Sequence, residues 1–291
     1  MNQIDYLRKE IMNTGYPLEI EISCMLDKLW KNVENTDTYV DTDGRTLRDI
    51  DIHAWETYQP KKTFPLFLHT EFVIECKKSK DFAWIFFTRP FEPEIDDVAG
   101  QYADELQAVI KNTENYKVLN MIFDPSVLHY ASFERKAVAF DAFALDAKKS
   151  SYKKKKKEIF EAQNQLKKFI GCFINQIINV PIQIVGYPIQ IFFPCIVFDG
   201  LMYEAIVDDD ELKLEEANHL VLKTLRRSPY SVFEKGLLID VVSKNYFNDY
   251  QKIIRKDIST LKKIFRRKAT RIVREIDETI SLVESVRTKT N

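Results

Sequence analysis

The chain has 291 residues, 45% of them apolar, and its 43 Lys and Arg nearly cancel its 44 Asp and Glu to leave a formal charge of −1. That much apolar material suffices for one large domain or two small ones with a buried core, and it excludes a disordered chain. The balanced charge excludes a protein that coats nucleic acid by bulk positive charge, so any anionic ligand must be met by a local patch.

Cys24, Cys76, Cys172 and Cys195 form no CxxC pair and keep no regular spacing, which argues against a zinc cluster and against a disulfide framework. A reducing, cytoplasmic setting is the expectation. The opening residues carry charges where a signal peptide needs an apolar stretch, so secretion is not expected.

In chain order, Thr14-Gly15-Tyr16-Pro17 punctuates a short lead, and Leu18, Ile22, Met25, Leu26 and Leu29 recur at helical spacing. Asp43-Gly44 then separates two β-rich runs, 38 to 41 and 47 to 52, as the turn of an antiparallel hairpin. A third strand ends at Phe72-Val73-Ile74-Glu75-Cys76-Lys77, and Trp84-Ile85-Phe86-Phe87 extends the sheet or packs beside it. Residues 91 to 150 read as an insertion, with a helix over 98 to 110 and a strand over 116 to 123. A long helix starts at 151 with five consecutive lysines, 153 to 157, a run that suits a solvated helix end or a binding site.

Residues 169 to 198 carry no charge, which raises the question of a membrane span. Pro181, Pro188, Pro194 and five Asn or Gln side chains argue against it, because helix breakers and amides are costly in hydrocarbon. The alternative is a helix end, a loop, and a central strand over 189 to 198 that turns through Asp199-Gly200 into a hairpin partner over 201 to 207. One further strand spans 237 to 242. From 245 to 286 a charged helical pattern carries the stripe Ile253, Ile254, Ile258, Leu261, Ile264 and Phe265.

Alternation along the second strand places Asp49, Asp51 and His53 on one face and Ile50, Ile52 and Ala54 on the other; the third strand places Glu75 and Lys77 together. Two carboxylates and an ammonium on neighbouring strands supply hard oxygen ligands for a small divalent cation beside an amine that can orient water. A cross-strand salt bridge is the plain alternative. Asp49 reads as a solvated carboxylate and His53 as structural or substrate-facing. His69, His129 and His219 have no partner at metal-ligand spacing and receive no role, and Trp84, Phe86 and Phe87 read as core.

At Glu19, Arg48-Asp49-Ile50-Asp51-Ile52 and Glu75-Cys76-Lys77 the chain resembles the restriction-endonuclease-like, PD-(D/E)XK nuclease superfamily, with Ile50 standing where the family's name has proline. The resemblance implies an α/β fold (α+β, mixed sheet): a restriction-endonuclease-like αβββαβ core over 15–90 and 155–210, a helical insertion over 91–150, and a C-terminal strand and long helix over 236–291, all in one domain. It implies Mg²⁺ (or Mn²⁺) held by Asp51, Glu75 and the backbone carbonyl of Cys76, with Lys77 serving the attacking water. Glu19 would be the helix acid, with Glu21 as its rival. Lys78, Lys80, Gln163 and Lys167 would contact nucleic acid, taken to be DNA. A catalytically inactive nucleic-acid-binding or partner-binding module of the same fold is the competing expectation. No membrane partner is expected, and a homodimer or a place in a defence or repair complex stays open.

The chain has no GxSxG elbow, phosphate loop or GxGxxG, which disfavours nucleotide-driven chemistry. The near-zero charge also hides segregation. Residues 148 to 168 hold nine Lys against two Glu, 252 to 274 hold ten basic residues against Asp257, and 199 to 217 hold eight acids against Lys213. Two basic helices flanking the acidic site could therefore hold a phosphate backbone.

Overall fold

The computed structural model describes residues 2–41, 46–62, 65–92, 102–104, 128–146, 152–178, 187–208, 211–224 and 237–290. Helix α1 (Gln3–Ile11) is capped by the Asn2 side chain, which accepts the Asp5 N–H, and it buries none of its residues. Helix α2 (Tyr16–Leu26) starts at Gly15 with a proline in its first turn, where the missing N–H costs nothing. Leu18, Ile22 and Leu26 form its buried stripe.

Among the described residues eleven strands make one sheet: β1 (Asn32–Val40), β2 (Leu47–Tyr58), β3 (Leu66–Lys78), β4 (Phe82–Pro90), β5 (Tyr102–Asp104), β6 (Arg135–Ala144), β7 (Tyr187–Asp199), β8 (Met202–Asp208), β9 (Glu211–Glu216), β10 (His219–Lys223) and β11 (Leu238–Ser243). Their order is β1-β2-β3-β7-β11-β10-β6-β4-β8-β9, with β5 added to β7. The first three strands are antiparallel neighbours, and β7 returns parallel to β3 over its whole length, from Leu66 opposite Tyr187 to Lys78 opposite Asp199. In chain order α2, β1, β2 and β3 are followed by β4, β5, a 3₁₀ turn and β6 before helix α3 (Tyr152–Ile178) and β7, so the sequence helix, three strands, helix, strand holds only with β4 to β6 set aside.

Both faces of this central region are covered, which is why β7 is an uncharged run. On one face α2 and the long helix α4 (Phe247–Thr290) pack Leu18, Ile22, Leu26, Phe247, Tyr250, Ile254, Ile258 and Leu261 against Phe72, Ile74, Ile191 and Val197. On the other, α3 packs Ile159, Ala162, Leu166, Phe169 and Ile170 against Val73, Phe192, Ile196 and Ile239. Among the described residues no helix is long and apolar enough to cross a membrane.

Two expectations are corrected. β8 is not the hairpin partner of β7; it pairs parallel with β4 and antiparallel with β9. The chain leaves β7 at Gly200, where a Cβ would come within 2.6 Å of the Ser79 carbonyl oxygen, and the Leu201 carbonyl then accepts the Trp84 N–H. Second, the described parts of the insertion are strands and a short 3₁₀ turn, not helix: residues 102–104 pair with β7, and β6 sits between β10 and β4. The rest of the expected helix over 98–110, the expected strand over 116–123 and the Asp43-Gly44 turn lie outside the described residues. The two basic helices, expected to flank the acidic site, lie on opposite faces of the sheet.

Candidate active site

Asp51, Glu75 and Lys77 meet because of strand register. β2 and β3 pair up to Ile52 opposite Ile74, so one further step along the ladder brings Asp51 to Glu75. On β3, Glu75 and Lys77 alternate with Val73 onto the α3 face. On β2 the alternation breaks: Ile50 packs in the α3-side core, whereas Ile52 and Ala54 pack in the α4-side core. Ile50 therefore does not share a face with Ile52 and Ala54 as strict alternation requires. The break lies across from Thr36 on β1, a non-glycine residue at φ 59°, where the β1–β2 pairing passes from Asn35 opposite Ile52 to Asp37 opposite Ile50. A positive φ at a β-branched residue is strained, and such strain concentrates at functional positions.

At this break the Asp51 carboxylate accepts the Cys76 main-chain N–H at 2.7 Å through Oδ2. Lys77 Nζ donates to Glu75 Oε2 at 2.6 Å and lies 3.8 Å from Asp51 Oδ2. Glu75 is fully buried; the Asp51 main-chain N–H is directed at its carboxylate, and the other oxygen, Oε1, completes no hydrogen bond of good geometry among the described residues. Burial pushes the Glu75 carboxyl up to about 8 despite the neighbouring ammonium. Burial likewise raises Asp51, against the pull of Lys77 and the Cys76 amide. For Lys77 burial works downward, but the charges of Glu75 and Asp51 prevail and raise it. Glu19 on α2 belongs to the same field: burial raises it, then the charge of Asp51, with Lys77 opposing. Glu21 points elsewhere, to Lys244 at 2.7 Å.

A buried carboxylate oxygen without a partner is expensive, and a second carboxylate on the adjoining strand adds to the negative potential. The donors are all hard oxygens, the set that suits Mg²⁺ or Mn²⁺. The Cys76 thiol is buried and held well above its ordinary range by burial, so it is no nucleophile.

Next to this group, His53 is buried between two acids, with Nδ1 2.8 Å from Asp37 Oδ2 and Nε2 2.9 Å from Glu71 Oε2. Its ring meets Phe169 and Phe173 of α3 edge-on. Of the residues expected to touch nucleic acid, Lys78 donates to the Met12 carbonyl and Lys80 is exposed. Gln163 is buried on α3, and burial lowers Lys167. In the lysine run only Lys157 has a described side chain, which pairs with Glu161 at 2.9 Å. On α4, Arg255 and Lys262 are turned inward onto Glu56 of β2.

A second polar cluster was invisible to spacing arguments. His129, in the 3₁₀ turn His129–Ser132, places Nε2 3.0 Å from Asp240 Oδ1 on β11 and Nδ1 2.6 Å from Asp257 Oδ2 on α4. His219 on β10 places Nε2 2.7 Å from the same Asp240 oxygen. These histidines thus do have partners, drawn from positions 111 and 21 residues away. The available signal was Asp240 itself, the one charged side chain inside the strand Leu-Ile-Asp-Val-Val-Ser.

Comparison of the chain with protein families, with curated proteins and with solved structures finds no match.

Proposed function

We propose that the chain is a metal-dependent nuclease that hydrolyses phosphodiester bonds in DNA, with a restriction-endonuclease-like core. The observation that carries this reading is the convergence of Asp51, Glu75 and Lys77, with one oxygen of the buried Glu75 completing no hydrogen bond of good geometry among the described residues. The parallel return of β7 beside β3 agrees with it, as does the order helix, three strands, helix, strand once β4 to β6 are set aside as inserted. So does Glu19, the helix acid in reach of Asp51.

Asp51 and Glu75 would hold Mg²⁺ (or Mn²⁺), and the ion would neutralise charge on the phosphate and lower the pKa of a bound water. Asp51 is oriented for this by the Cys76 amide. Lys77, released from Glu75 by the cation, would orient the attacking water for in-line displacement. The basic residues of α3 and α4 would contribute a local positive field in a chain with no net charge to offer.

Linear, circular, single-stranded and double-stranded DNA, each with and without Mg²⁺, test the proposal. Wild type should cut only with Mg²⁺, and Lys77→Ala should not cut although it folds. Equal cleavage by wild type and Lys77→Ala rejects the assignment. DNA binding without cleavage, at any Mg²⁺ concentration, would favour the competing reading, in which the Lys77 ion pairs are a structural tie and the protein is a binding module.

A further inference from the structure

The buried cluster of His129, His219 and Asp240 is separate from the proposed nuclease site. Asp240 lies on β11, two strands along the sheet from β3, and its neighbours Leu238 and Val242 face α4, whereas Glu75 faces α3 with Val73. We infer that His129 Nε2, His219 Nε2 and Asp240 Oδ1 form a binding site for a divalent transition metal, of which Zn²⁺ is the type, that clamps the 3₁₀ turn and α4 to the sheet.

Geometry is the first support. The three ligand atoms all lie within 4.8 Å of one another, so one ion can reach them after small adjustments. Each histidine turns Nε2 to the same carboxylate oxygen, at 3.0 and 2.7 Å. The other oxygen, Oδ2, takes the Tyr130 hydroxyl at 3.1 Å. Behind His129, Nδ1 meets Asp257 Oδ2 at 2.6 Å, and the same oxygen also accepts the His129 main-chain N–H at 3.0 Å. A carboxylate behind a ligating imidazole fixes its tautomer and orientation and makes the metal-facing nitrogen more basic.

A second, independent observation points into the site. The Tyr250 hydroxyl is fully buried and is directed at Asp240 and the Cys195 thiol, while its ring lies 4.8 Å from that of His219. Cys195, register partner of Asp240 on β7, is buried on the same side. An ion with an open fourth position would face these groups.

The chemistry of the donors gives the third support. Two imidazoles and one carboxylate suit Zn²⁺ and its neighbours, whereas Mg²⁺ and Ca²⁺ require more oxygens. The burial of His129 and Asp240, with His219 only partly exposed, marks a structural ion rather than one open to substrate.

The experiment is metal analysis of the full chain after stripping and reconstitution with Zn²⁺ alone, together with thermal melting with and without Zn²⁺. Wild type should retain one Zn²⁺ per chain and melt higher with it. His219→Gln, which keeps a polar group beside Asp240, should fold and lose the ion. Asp257→Asn should weaken binding by roughly 10- to 100-fold, as loss of a supporting carboxylate does. Glu75→Gln should keep full Zn²⁺ content, which separates this site from the nuclease site. Wild type that neither retains Zn²⁺ nor melts higher with it overturns the inference and leaves the cleavage assay untouched. Retention by His219→Gln equal to wild type, or loss by Glu75→Gln, overturns it as well.

Discussion

The Asp51 carboxylate accepts the Cys76 N–H at 2.7 Å, one step beyond the last regular β2–β3 pair, so the two acids of the site are fixed by strand register rather than by flexible loops. Lys77 closes the group by its contact with Glu75. Because Lys77 is raised by the two acids, it stays charged through the neutral range and can hold a water but not abstract its proton at pH 7. Lys77→Met, which leaves the attacking water unpositioned, should therefore lower Mg²⁺-dependent cleavage by about 10²-fold. Lys77→Arg, which keeps the charge, should recover part of that rate. Single-turnover cleavage of labelled DNA by the three proteins measures both effects.

His53 makes stability depend on pH. Burial alone would lower this histidine, but hydrogen bonds and charges from Asp37 and Glu71 outweigh it and raise the group to about 9. A raised histidine contributes stability that is fully present below its unfolded value near 6.5 and lost as pH rises through about 9. The contribution is at most about 3 kcal/mol for a shift of this size. Chemical denaturation at pH 6 and pH 9.5 should show wild type losing stability over that interval, and His53→Gln losing markedly less. An unchanged pH slope in His53→Gln would remove this histidine from the account.

Gly200 permits the crossing from β7 to β8, which lies beside β4. A Cβ there would meet Phe198 Cζ at 2.5 Å and the Ser79 carbonyl oxygen at 2.6 Å. Neither can yield: Phe198 is stacked on Trp84 with ring centroids 3.8 Å apart, and the Ser79 N–H is bonded to the Asp199 carbonyl. Gly200→Ala should cost about 1–3 kcal/mol, the usual price of overpacking. The melting temperature should fall by roughly 2–4 °C per kcal/mol in a chain of this size.

Much of this architecture was legible because periodicity reports burial. The stripe Leu18, Ile22, Leu26 and the stripe Ile254, Ile258, Leu261 mark α2 and α4 correctly, and the uncharged run before Asp199 marks the central strand. Local turn chemistry misled at Asp199-Gly200, where the tight glycine serves a crossover instead of a hairpin. Alternation failed at Asp51 because the irregularity resides on β1, at Thr36, and a strand read alone carries no sign of its neighbour's distortion. The acids and the lysine of the proposed active site are close in sequence or joined by a hairpin, so their meeting could be anticipated. His129, His219, Asp240 and Asp257 come from four elements, and only the folded sheet and α4 bring them together.

The choice between the two helix acids can be decided by substitution. Glu19 lies in the field of Asp51 and Lys77, and burial together with the Asp51 charge raises it. Glu21 is 44% exposed and pairs with Lys244 at 2.7 Å. An exposed pair of this kind contributes about 0–1 kcal/mol, so Glu21→Gln should leave cleavage at the wild-type rate and change the melting temperature little. Glu19→Gln removes a negative charge beside Asp51 without removing the hydrogen-bonding shape. It should raise the Mg²⁺ concentration needed for half-maximal cleavage by about tenfold, corresponding to roughly 1.4 kcal/mol of lost interaction with the ion. Titrating Mg²⁺ against cleavage for both variants reads the difference directly, and a larger effect from Glu21→Gln would move the helix acid to that position.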